Sequence, residues 1–157
     1  MIKTLERPAV TLIGLQIDTR PMSPDIPALW PKFVARIPEI EGQTEPRVAY
    51  GVMRHGDAGM HVLHYMAAVA VDASARVPRG MTRLVLPAGT YAAFSYPLSG
   101  LAKGFGEIFN TLLPTSGYEQ IAGPYFERYD ESFDPADPGS AVGIWLPVRR
   151  CGARVSA

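Results

Sequence analysis

A strand, a helix and two strands, in that order, can be read twice along this chain of 157 residues. In the first half, Thr11–Asp18 has the β-branched content of a strand. The cluster Pro21–Asp25 is loop chemistry. Ile26, Leu29, Phe33 and Ile37 then recur at helical spacing. Pro27 suits an early helix position, whereas Pro31 predicts a kink or a late start. Pro38 and Gly42 mark the end. Arg47–His55 and His61–Asp72 are apolar runs separated by Gly56-Asp57-Ala58-Gly59, a hairpin signal. In the second half, Thr82–Leu86 and Thr90–Tyr96 are strand-like and broken by Pro87-Ala88-Gly89. Ser99 is placed to cap a second helix whose apolar face is Leu101, Phe105, Ile108, Phe109 and Leu112. Gly104 and Gly106 each weaken it by roughly 1 kcal/mol, so packing must hold it. Pro114 ends it. Tyr125–Asp130 and Ala141–Val148 follow as strands around a polar loop, Phe133–Gly139.

A helix returning between strands must lie on one sheet face. The sequence therefore predicts an α+β fold, one domain over residues 1–157 with pseudo-repeats at about 8–75 and 80–150. Two βαββ units would make one curved antiparallel sheet with two helices on one face. The other face, at the seam between the halves, is the expected ligand groove.

Composition narrows the function. Apolar residues make up 47% and charged residues 19%, a globular balance. Lys plus Arg equals Asp plus Glu at 15 each, and no basic stripe argues for direct nucleic-acid binding. A single cysteine, Cys151, forms no intrachain disulfide. No apolar run approaches the roughly 20 residues of a membrane-spanning helix, and the first residues lack a signal-peptide pattern. The expectation is a cytoplasmic protein with no membrane partner. His61 and His64 face opposite sides of a strand, with His55 across the turn, so no metal site is expected. No GxGxxG or GxxxxGK[ST] loop occurs, and no cofactor is expected.

Within Pro124-Tyr125-Phe126-Glu127-Arg128-Tyr129 a Glu occupies an aromatic strand, where Glu is disfavoured. Alternation projects Tyr125, Glu127 and Tyr129 one way and Phe126 and Arg128 the other. An anion between rings is the chemistry that recognises organic cations. The alternative is a solvated Glu at a sheet edge, paired with an Arg. Trp145 alternates with Ile144 and Leu146 and so points away from the helix-covered core if those two point into it. The expected ligand-binding set is Glu127, Tyr50, Tyr65, Trp145, Tyr125 and Tyr129; Met53 and Met66 could add adaptable lining, although the core is the more usual address of a Met.

Leu86-Pro87-Ala88-Gly89-Thr90-Tyr91-Ala92-Ala93-Phe94 is similar to the PAGKYAVF segment of GyrI-like proteins. These are the effector-binding domains of AraC- and MerR-type multidrug regulators, together with stand-alone relatives. Leu-Leu-Pro-Thr-Ser-Gly-Tyr-Glu and Gly-Pro-Tyr-Phe-Glu-Arg-Tyr-Asp, within Phe109–Glu131, resemble the family's WLPxSGYE and GPxFExYD runs. Leu29, Trp30 and Phe33 resemble its first-helix LWxxF. Ser95–Gly100 departs from the pattern where the family tends to have His and Gly. The resemblance implies a tandem βαββ (SHS2-like) fold, a buried Glu127, and binding of hydrophobic, cationic or cyclic small molecules for sensing or sequestration. With residue 10 already leading into a strand, no DNA-binding helices are expected ahead of the domain. Two alternatives share the resemblance. Some relatives hydrolyse cyclopropane-bearing compounds, in which case Glu127 would orient or deprotonate water. Others bind a protein partner, as the gyrase-inhibitor name suggests; Asp130, Glu131, Asp134 and Asp137 are a modest acidic patch for that role.

Overall fold

The computed structural model describes residues 2–55 and 62–152. The expected turn Gly56-Asp57-Ala58-Gly59 and His61 lie outside those residues. The chain forms β1 (Lys3–Arg7), β2 (Val10–Thr19), α1 (Asp25–Arg36), β3 (Ala49–His55), β4 (Leu63–Val71), β5 (Thr82–Leu86) and β6 (Gly89–Pro97). Then come α2 (Leu101–Glu107), β7 (Tyr118–Gln120), β8 (Tyr125–Tyr129) and β9 (Ala141–Arg150).

Eight strands make one curled antiparallel sheet in the order β1-β6-β9-β8-β3-β4-β2-β5, and β7 pairs with β9 beside it. The centre of that order is the pair β8–β3. On one side run β8, β9 and β6; on the other run β3, β4 and β2. The two βαββ units therefore meet through their equivalent strands. The outer strands are exchanged between them. β1 precedes the first unit but pairs with β6 of the second, and β5 precedes the second unit but pairs with β2 of the first. Each unit thus closes the other's edge, which suppresses unpaired edges and ties the halves together.

β1 and β7 are strands that the sequence pattern did not reveal. The helix expectations need adjusting as well. α1 starts at Asp25 and runs through Pro31, so it does not start late. Ser99 is not a side-chain cap: α2 is entered through a 3₁₀ turn at Leu98–Gly100 and follows Gly100 without a capping side chain. Ser99 N–H instead donates to the Pro138 carbonyl at 2.9 Å. After Glu107 the helix widens into a π-helical turn, Ile108–Leu112, where Leu113 N–H donates to the Ile108 carbonyl at 2.8 Å.

Alternation splits the apolar residues between the two faces. Phe33 and Leu29 of α1 and Ile108 and Leu113 beyond α2 pack with Ile13, Tyr65, Val69, Ile144 and Leu146. Leu12, Tyr50, Val52, Met66, Tyr91 and Phe126 form a second core on the opposite face, inside the curl. Each fully buried Phe or Leu of this kind stabilises the fold by about 1.5–3 kcal/mol. α1 packs on β2 and β4, and α2 packs on β6. Each helix covers its own half, and the seam strands β3 and β8 lie between them.

Candidate ligand site at the seam of the sheet

That uncovered strip is a cavity of about 660 Å³. Its floor carries Met53, Tyr65, Tyr125, Glu127 and Tyr129, and its walls are Trp30 of α1 and Leu101, Phe105 and Phe109 of the α2 segment. The groove is therefore on the helix-bearing face, not on the opposite face as expected. The reason is register. Glu127 lies opposite Ile144 on one side and Gly51 on the other, and directly paired residues share a face. Ile144 is a core residue beneath the helices, so Glu127 is beneath them too.

The same rule places the expected aromatics. Tyr125, Tyr129 and Tyr65 gather around Glu127. Tyr50 and Trp145 do not. Tyr50 pairs with Arg128, and Trp145 pairs with Phe126, so both point to the other face. There Trp145 stacks on Phe126 at 6.1 Å, and the Arg7 guanidinium lies 4.7 Å over Trp145. Tyr50 donates to Glu45 at 2.5 Å, and Glu45 is bridged by Arg128 at 2.8 Å. This acid-and-ring cluster is filled by the protein's own arginines. Met53 lines the cavity, whereas Met66 packs in the second core.

Glu127 is 8% exposed. Its Oε1 accepts hydrogen bonds from Tyr129 at 2.7 Å and from Tyr65 at 3.0 Å. Trp30 Nε1–H donates to the Tyr65 hydroxyl at 3.0 Å, which leaves the phenolic proton of Tyr65 for the carboxylate. No hydrogen bond to Oε2 is formed among the described residues, and no side-chain oxygen there is both fully buried and unpaired. Oε2 thus retains access to the cavity. The ion pairs among the described residues join Arg36 to Glu39, His64 to Asp18, Arg128 to Glu45 and Arg149 to Glu119, and none includes Glu127.

Burial drives the Glu127 carboxyl above the usual carboxylate range, against the opposing effect of the Tyr129 and Tyr65 hydrogen bonds. Burial, then the negative charge of Glu127, pushes the phenols of Tyr65, Tyr129 and Tyr125 upward. Tyr65 and Tyr129 therefore act on Glu127 as neutral donors. Tyr125 is held from the outside by His55, whose Nε2 is 2.9 Å from its hydroxyl, with the two rings stacked at 5.7 Å.

Two contributors are not evident from side-chain chemistry alone. Trp30 reads in the sequence as one position of a helix pattern, and nothing in that pattern shows that its indole reaches Tyr65. Gly51 carries no side chain to read. A Cβ there would lie 2.2 Å from the Tyr65 hydroxyl and 2.7 Å from Glu127 Oε1. Its hydrogen atom leaves the space through which Tyr65, on β4, reaches across β3 to Glu127, on β8. Among the described residues no group of three His, Cys, Asp or Glu is placed to hold a metal, and no helix is long and apolar enough to cross a membrane.

Residues 1–149 match the GyrI-like small molecule binding domain. The transcriptional regulator BrlR of Pseudomonas aeruginosa is 35% identical over 149 residues, which is 93% of this chain and 54% of BrlR. The chain spans about half the length of that relative. SAV2435, solved bound to tetraphenylphosphonium, shares the fold with a TM-score of 0.73 at 17% identity, over 95% of this chain and 94% of that one. EcmrR, solved in complex with DNA, gives a TM-score of 0.68 at 14% identity, over 96% of this chain and 57% of that one. Matched over almost all its length, the chain belongs to the GyrI-like small molecule binding domain family.

Proposed function

We propose that the seam cavity binds hydrophobic organic cations and that Glu127 is their counter-charge. The use would be sensing or sequestration of such compounds. One observation carries this reading: Glu127 is buried with no cationic partner among the described residues. A buried carboxylate normally has a partner, because desolvating an isolated charge costs several kcal/mol. Here one oxygen is held by two phenols and the other is turned to an aromatic hollow. Trp30, Tyr125 and Phe109 can each contribute about 0.5–2 kcal/mol to a desolvated cation. That SAV2435 binds tetraphenylphosphonium in the same fold supports the choice of ligand class.

The test compares tetraphenylphosphonium with neutral triphenylphosphine oxide by calorimetry, on wild type and Glu127→Gln. The expected outcome is a preference for the cation of about tenfold or more in wild type, lost in the variant. Equal binding of the cation by both proteins would refute the anchoring role.

A further inference from the structure

Pro21, Met22, Ser23 and Pro24 carry the chain from β2 into α1 and form one lip of the cavity. Met22 has φ of 64°, the only positive φ at a non-glycine residue among the described residues. L-residues avoid this left-handed region because Cβ approaches the following carbonyl. Asn and Asp offset the strain with local hydrogen bonds, which a thioether cannot form. The surrounding turn fixes the conformation. Ser23 N–H donates to the Arg20 carbonyl at 3.2 Å, and the buried Ser23 accepts from Asp25 N–H at 3.1 Å and from Ile26 N–H at 3.2 Å.

Packing of the Met22 side chain does not offset the strain, for Met22 is 71% exposed. Phe109, which lines the same cavity from the segment after α2, is 38% exposed and lies edge-on to Tyr125 at 6.4 Å. The remaining large exposed hydrophobics, Leu5, Val34 and Val85, do not line the cavity. An outlying backbone conformation and an exposed apolar side chain thus coincide at one residue, on the rim of the site. Strained conformations persist where the surrounding structure holds them, as this turn does, and they cluster at ligand sites.

We propose that Met22 is a specificity-determining residue of the cavity: its side chain folds onto the outer face of a bulky aromatic cation and covers it against Phe109. This rests on the ligand reading given above. An unbranched thioether adapts to many ring shapes and makes favourable sulfur–aromatic contacts, so it suits a cover for varied ligands. Ligands too small to reach the rim would gain nothing from it.

The experiment measures tetraphenylphosphonium affinity, dissociation rate and melting temperature for wild type, Met22→Gly, Met22→Ala and Met22→Leu. Met22→Gly is expected to melt about 2–4 °C higher, because glycine accepts positive φ. It is expected to bind about tenfold more weakly, from the lost burial of the side chain, chiefly through faster dissociation. Met22→Ala should lose affinity without the gain in melting temperature, since it keeps the strained Cβ. Met22→Leu should keep the affinity. Gain of stability with loss of binding is a pairing that general misfolding cannot produce. If wild type binds and Met22→Gly binds equally well, or if Met22→Gly melts no higher, the assignment is overturned while the site stands. If wild type itself does not bind, the ligand reading fails first and takes the assignment with it.

Discussion

Replacing Gly51 by Ala tests the geometry of the site with a single methyl group. Gly51 is buried in the middle of the sheet, paired with Ala67 of β4 and with Glu127 of β8. Its new Cβ would meet the Tyr65 hydroxyl at 2.2 Å and the Tyr65 Cζ at 3.0 Å. Tyr65 is 1% exposed and its ring is rigid, so it cannot swing aside without moving Trp30, to which its hydroxyl is bound. Glu127 Oε1, at 2.7 Å, is a flexible end, but turning it away gives up the Tyr129 hydrogen bond. Overpacking a filled interior costs about 1–3 kcal/mol. Loss of a hydrogen bond to a charged group costs about 1.5–3 kcal/mol. Partial relaxation makes these overlap, and the expected loss is roughly 2–4 kcal/mol, or a fall of about 5–15 °C in melting temperature. Urea unfolding measures it directly. Gly106→Ala is the internal control: its Cβ would meet nothing nearer than Asn110 at 4.0 Å, so it should stabilise by about 1 kcal/mol through helix propensity. A Gly51→Ala protein that unfolds at the wild-type urea concentration would show that the Tyr65–Glu127 contact across β3 is not as tight as described.

Three further outcomes can be measured. Glu127→Gln should stabilise the protein increasingly as pH rises. Burial raises the folded carboxyl above its unfolded value, so that group's contribution is fully present below the unfolded value and is lost as pH rises through the folded one, whereas Gln does not titrate; thermal melts between pH 4 and 8, with an unchanging gap between the two proteins, would contradict this. Trp30→Phe removes the indole donor but keeps a ring, so the pH at which tetraphenylphosphonium binding is lost on acidification should move up, read from affinity against pH. Arg7→Ala should lower stability by about 0.5–2 kcal/mol through its lost contacts with Trp145 and Phe126, and leave ligand affinity unchanged; weaker ligand binding in that variant would mean the two faces of the sheet are coupled.

The strands of both βαββ units, the helices between them and the grouping of Tyr125, Glu127 and Tyr129 on one side of β8 are legible, because each is written in local periodicity; which side of the sheet that is, relative to the helices, is not. What periodicity does not carry is register. Alternation with Ile144 and Leu146 does send Trp145 away from the helix-covered core, but only the pairings of Tyr50 with Arg128 and of Trp145 with Phe126 show that this is the face opposite Glu127. β1 was illegible for another reason. It pairs with β6 at residues 89–93, a contact whose sequence separation no local pattern can announce. The side of the groove followed from the same gap: helices that each cover one half leave the seam open on their own face, while the curl of the sheet fills the other.

That arrangement accounts for how a charge can be kept where folding disfavours it. On the far face Glu45 is matched by Arg128 and Tyr50, and these hydrogen bonds hold its carboxyl below the usual range although burial acts against them. Glu127, on the seam, receives phenols and no cation among the described residues, and its carboxyl is raised. The two acids lie on strands or loops of one small sheet, so the difference is one of partners and not of fold. An arginine at Glu127 would satisfy the carboxylate and close the site to a ligand cation. Leaving it with neutral donors keeps Oε1 fixed and Oε2 free, at a cost in stability that a bound cation would reverse. A cationic ligand should therefore raise the melting temperature most above the folded value of Glu127, where its buried charge costs the most stability, and that dependence on pH should vanish in Glu127→Gln.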